Sequence, residues 1–200
     1  MSDHSAREEA IVSTTLDLAE ERGVAGVTTA GLARRLQFTE AALYRYFPGK
    51  AAIIAASLRN LGERLFATML LELMPEAVQH GQGVNEQLDR HARRFALRNG
   101  LLIELLLAAA GGRDEELHTA AGGFLHEYGQ QMTDYFHRLQ HLGLVATTAA
   151  PTDLSRLWVC QLLGGFIRCR LERECWDAVE QPGFHAFVAS LRTPSAVTPA

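Results

Sequence analysis

Cysteine is scarce in this 200-residue chain. Cys160, Cys169 and Cys175 are odd in number and follow no zinc-ligand spacing, so they read as reduced thiols of a cytoplasmic protein. Long apolar runs are missing as well. The longest, Leu101 to Ala110, is interrupted by Glu104 and is too short to cross a bilayer. The first residues, MSDHSAREEA, form no apolar leader. No alternating, strand-like stretch occurs, so an all-α fold is expected. There is no Gly-x-Ser-x-Gly, no phosphate loop and no Gly-x-Gly-x-x-Gly, which argues against an enzyme and predicts no cofactor. His137 and His141 are four apart, but no companion ligand follows, so they read as solvated side chains and no metal is expected. Net basicity is also lacking: the formal charge is −4.

Against these absences stands a core-forming composition, 48% apolar and 21% charged, ordinary for a helical chain of one domain plus a small one. The stretch from Thr28 to Lys50, TTAGLARRLQFTEAALYRYFPGK, is the most informative. Thr28 or Thr29 can cap a first short helix, in which Leu32, Ala33 and Leu36 share one face. Gln37 and Phe38 make a turn, and Thr39 caps a second helix, with Glu40 in its first turn. Leu43 and Phe47 point inward with Phe38, leaving Glu40, Ala41, Ala42, Tyr44, Arg45 and Tyr46 outside, and Pro48-Gly49 ends the helix. Two short helices at a sharp turn suit a helix-turn-helix, whose second helix enters the major groove. Ala41 and Ala42 allow close approach, Arg45 can fork onto guanine, and Tyr44, Tyr46 and Lys50 can reach phosphates. Arg34, Arg35, Arg45 and Lys50 against Glu40 give this stretch +3, which leaves −7 for the rest of the −4 chain. A basic face on an acidic body suits docking of one surface to DNA.

The motif T-T-x-x-L-A followed by T-E-A-A-L-Y-R-Y-F-P-G-K, with its L-Y-x-x-F-x-x-K ending, resembles the DNA-binding domain of the TetR family of bacterial transcriptional regulators over about Ala6 to Leu58. The resemblance implies that Thr29, Tyr44 and Lys50 grip phosphates and that Glu40, Ala41, Ala42, Arg45 and Tyr46 face bases. Thr39 completes this expected surface as the cap. Gln37 departs from the family, which usually has glycine there. At positive φ a non-glycine residue costs about 1 kcal/mol.

Elsewhere the pattern predicts helices from Ala6 to Arg22, from Lys50 to Met74, from Asn85 to Arg98, over Leu101 to Ala110, from Glu115 to Leu142, from Leu154 to Arg173, and around Phe184 to Leu191. The Lys50 helix should link the DNA-binding part to the body. Expected domains are a helix-turn-helix domain over 1–50, a helical effector-binding and dimerisation domain over 51–193, and a disordered tail over 194–200. The resemblance implies a homodimer through the last two substantial helices, a palindromic double-stranded DNA operator with half-sites about 34 Å apart, and release by a small molecule. For that molecule, Phe95, Glu104, Phe124, Tyr128, Trp158 and Gln161 offer aromatic walls with two polar anchors. Arg90, Arg93, Arg94 and Arg98 form a basic helix face, read as solvated and paired with acids. The motif is also similar to the nucleoid-occlusion division inhibitors of the same family, which bind DNA and a cytoskeletal GTPase rather than a metabolite. On either reading the protein is expected in the cytoplasm, on the nucleoid, with no membrane partner.

Overall fold

Eight α-helices make up the regular structure in a computed structural model that describes residues 3–73, 83–146 and 148–172. They are α1 (Asp3–Arg22), α2 (Thr29–Leu36), α3 (Glu40–Leu43), α4 (Lys50–Glu72), α5 (Gly83–Arg98), α6 (Gly100–Gly111), α7 (Glu115–His141) and α8 (Pro151–Glu172). No strand occurs among the described residues. The helix expected around Phe184 to Leu191, the expected tail and Cys175 lie outside them.

Two compact units share the chain: Met1–Phe66 with Asn99–Leu125, and Ala67–Arg98 with His126–Ala200. Helices α4 and α7 each contribute to both.

In the first unit, α1 buries Ile11, Val12, Thr15, Leu16, Leu18 and Ala19. Thr15 satisfies its hydroxyl on the Ile11 carbonyl at 2.8 Å, so a polar group is buried without an unmade bond. A 3₁₀ turn at Val24–Gly26 leads to α2, and α6 packs on both that turn and α1. Along α4, Ile53, Ile54, Leu58 and Leu65 are buried, while Leu61 is half-exposed. Phe66 stacks on Phe124 with centroids 5.5 Å apart. A Cβ on Gly62 would lie 2.9 Å from the Phe124 ring, so this approach requires glycine.

In the second unit the aromatic residues do most of the filling. His91, Phe95, Tyr128, Tyr135, Phe136 and Trp158 are all buried. The Tyr135 hydroxyl donates to Gln87 Oε1 at 2.7 Å, and burial pushes its pKa up, which keeps it a donor. The buried stripe on α7 comprises Leu117, Ala121 and Phe124 in the first unit and Tyr128, Met132, Tyr135 and Leu139 in the second. Leu125 keeps helical spacing with Ala121 and Tyr128 yet is exposed, so the buried side of α7 is centred on Phe124 rather than on Leu125.

The same helix stop is used twice. At the end of α7, Gly143 has φ 69, with Leu144 N–H on the Leu139 carbonyl and Gly143 N–H on the Gln140 carbonyl. At the end of α2, Gln37 has φ 57, with Phe38 N–H on the Ala33 carbonyl and Gln37 N–H on the Arg34 carbonyl. Gln37 is the single non-glycine at positive φ among the described residues. Gln37→Gly is expected to raise stability by about 0.5–1 kcal/mol, since left-handed strain outweighs the added freedom of the unfolded glycine chain. Urea unfolding of the two proteins checks this; a destabilised variant would show that the Gln37 side chain contributes more than its backbone costs.

Candidate nucleic-acid interface

Local chemistry builds the helix-turn-helix in three steps. Thr28 caps α2 by accepting the Gly31 N–H at 3.0 Å, and Leu32 and Ala33 bury the inner face. The left-handed Gln37 turns the chain. Thr39 caps α3 by accepting the Ala42 N–H at 3.2 Å, and Leu43 is buried. The second helix was expected to reach Phe47, but regular α-helix covers only Glu40–Leu43. Beyond it the chain tightens: Arg45 N–H bonds the Ala42 carbonyl and Tyr46 N–H the Leu43 carbonyl, both three residues back. Pro48 and Gly49 then separate this turn from Lys50, the first residue of α4.

The expected DNA-contacting side chains divide by environment. Thr39, Glu40, Ala41, Tyr44, Arg45 and Lys50 are exposed; Thr29, Ala42 and Tyr46 are partly covered. Besides the capping Thr39, three are already engaged with neighbours: Thr29, Glu40 and Tyr46. The Thr29 hydroxyl donates to Glu40 Oε2 at 2.7 Å, so its proton must be withdrawn from that carboxylate before it can reach a phosphate. Tyr46 packs against His4 in the first turn of α1, with ring centroids 4.9 Å apart. That contact involves a residue with no signal in the sequence motif.

The charge of this surface is smaller than the +3 counted from sequence. Arg35 forks onto Glu21 of α1, with Nη1 on Oε2 at 3.0 Å and Nη2 on Oε1 at 2.6 Å. The Arg35 hydrogen bond holds the Glu21 carboxyl below its usual range. A depressed carboxylate contributes stability above its unfolded pKa and loses it as pH falls through the folded value, so this clamp between α1 and α2 weakens only in acid. Arg34, Arg45 and Lys50 remain as exposed cations.

The six residues expected to hold a small molecule belong to both units. Phe95, Tyr128 and Trp158 come together in the second unit: Trp158 Nε1–H donates to Tyr128 Oη at 3.0 Å, and the Phe95 and Tyr128 centroids are 5.7 Å apart. Gln161, also in that unit, is partly exposed on α8. Glu104, partly exposed on α6, and Phe124 belong to the first unit. The sequence reading missed His91, which is buried with Nε2 3.0 Å from Tyr128 Oη. Its position was readable, since Val84, Leu88, His91 and Phe95 recur at helical spacing. The polar edges of Tyr128, Trp158 and His91 are thus bonded to one another inside an aromatic core.

A capped short helix, a left-handed turn and a second capped helix followed at once by exposed Arg45 define a helix-turn-helix DNA-binding protein with a helical body. Residues 11–57 match the family model described as "Bacterial regulatory proteins, tetR family". The chain is 34% identical over 190 residues to the nucleoid occlusion factor SlmA of Marinobacter nauticus, covering 88% of this chain and 95% of that one. It is 40% identical over 104 residues to SlmA of Pasteurella multocida, covering 52% of this chain and 51% of that relative. In fold it is similar to a TetR-family regulator from Cytophaga hutchinsonii, with a TM-score of 0.79 at 14% identity over 97% of this chain and 98% of that one. The chain belongs to the TetR family of bacterial regulators; it is a DNA-binding regulator and not an enzyme.

Arg45→Ala is expected to weaken operator binding by about 1–3 kcal/mol and to relax preference at one symmetric base position, as loss of a bidentate guanine contact would. Binding to a panel of single-base operator variants measures this. Equal weakening on every sequence would make Arg45 a phosphate contact.

Proposed function

We propose that this protein acts as a nucleoid occlusion factor: a homodimer that sits on palindromic double-stranded DNA in the cytoplasm and acts from there on a partner protein of cell division. The observation that carries this reading is the similarity to the Marinobacter SlmA along nearly the whole of both chains, beyond the helix-turn-helix. The body supports it too. Two of the aromatic side chains expected to wall a metabolite site, Tyr128 and Trp158, are bonded to each other, and Tyr128 also bonds His91. A ligand entering there would have to replace bonds that are already made. The earlier resemblance gives the partner as a cytoskeletal GTPase.

Repression relieved by a small molecule is the second reading, supported by the likeness in fold to TetR-family regulators. It needs Phe95, Tyr128, Trp158 and Gln161 to open around an effector; Glu104 and Phe124, also expected to line it, belong to the first unit.

Selection from random duplex DNA supplies the operator. Filament assembly of the division GTPase is then followed by light scattering with the operator-bound protein present. Reduced filament mass, dependent on operator, is the expected outcome. Unchanged assembly together with release of DNA by a metabolite, abolished in Trp158→Ala, would favour the second reading.

The homodimer is supported by α8. Its residues Leu157, Cys160, Gly164, Ile167 and Leu171 recur at three- and four-residue spacing, and all are exposed. Leu157 is 52%, Ile167 37% and Leu171 79% exposed, a costly apolar surface for an isolated chain. Paired substitution Leu157→Glu with Ile167→Glu is expected to give a monomer in sedimentation at micromolar concentration and to lower operator affinity at least tenfold. A stable dimer in the double variant would assign the interface to other surfaces.

A further inference from the structure

We propose that His4 is a positioning residue for the DNA-binding surface, its imidazole packing on Tyr46 and holding that ring ready for DNA. The inference rests on Tyr46 lying at the DNA interface and adds a residue from outside the helix-turn-helix.

The argument begins with the brevity of α3. Its regular helix ends at Leu43, and Tyr46 sits in the turn that follows, held by one backbone bond to the Leu43 carbonyl at 2.9 Å. That bond fixes the backbone and leaves the side-chain torsions to packing. The packing comes from α1. His4 and Tyr46 have centroids 4.9 Å apart and planes inclined by 33°, close enough for the rings to restrict each other. Farther along α1, Arg7 lies over the Phe38 ring at 5.7 Å, so the same helix end also touches the turn between α2 and α3. The first turns of α1 therefore buttress the turn and the second helix together.

His4 is better suited to this role than to holding DNA itself. Its Nε2 lies 3.4 Å from Glu8 Oε1, one helical turn on, and its side chain remains 60% exposed. That contact orients the ring across the helix. A carboxylate at that distance also repels a phosphate approaching the same nitrogen. A ring already restricted before binding spares the ordering that DNA would otherwise impose on Tyr46.

The test uses the full-length protein and its selected operator, with affinity read by fluorescence anisotropy. His4→Ala is expected to bind about fivefold more weakly, about 1 kcal/mol. His4→Phe, which keeps a ring and removes every nitrogen, is expected to bind within about twofold of wild type. In a Tyr46→Ala background, His4→Ala is expected to change nothing further. The inference is overturned by a His4→Ala protein of unchanged affinity. It is equally overturned by a His4→Phe protein as weak as His4→Ala, or by a loss that persists without Tyr46, since either makes His4 a contact in its own right. A wild type that selects no duplex removes the DNA-binding reading, and the inference with it. Equal thermal midpoints among the variants, expected because His4 is mostly exposed, separate positioning from a general loss of fold.

Discussion

Between α2 and α3 the chain must change direction within three residues, and a left-handed backbone at Gln37 makes that possible. Two paired backbone bonds close the end of α2 there, and Thr39 opens α3 straight afterwards. Without the turn, Leu43 could not be buried on the inner side while Glu40, Ala41 and Arg45 stay outside. The other copy of this cap, at Gly143, has the residue that the geometry prefers. Gln37 carries left-handed backbone strain at the point where the DNA-binding surface is set. Burial of Leu32 and Leu43 on either side holds it in place.

The surface that results is less basic and more tied to its surroundings than a list of residues suggests. Arg35 is used to clamp α2 to α1 through Glu21. Thr29 and Glu40 hold each other, and Tyr46 leans on α1. All three interactions join residues far apart in sequence, and two of them reach α1, so the interface leans on α1 as a platform. With the Arg35 charge offset by Glu21, non-specific attraction to phosphate is reduced, and a larger share of discrimination falls to groups such as Arg45.

The body follows a different physical rule. Tyr128, Trp158 and His91 carry polar atoms into an apolar interior, and these atoms bond to one another. A fully partnered polar cluster specifies one packing of its helices. A ligand entering that cluster would have to replace these bonds.

Much of this was legible from residue order, because capping, periodicity and helix breaking act over four residues or fewer. Thr28, Thr39, Pro48 and the buried positions of α1, α4 and α7 were readable for that reason, as was left-handed backbone as the reason glycine is usual at Gln37. The L-Y-x-x-F-x-x-K motif carried the family, and with it the all-helical architecture. Only tertiary structure decided that Arg35 belongs to Glu21, that Tyr46 rests on His4, that Leu125 faces solvent, and that Glu104 and Phe124 fall in a different unit from Phe95 and Trp158. The first two are contacts between side chains distant in sequence, which no local periodicity encodes. Leu125 turns on where the α7 stripe is centred, and that is set by the neighbours packed against it. The division of the ligand-site residues depends on which helices pack together, a choice made by shape complementarity among many apolar faces of similar composition.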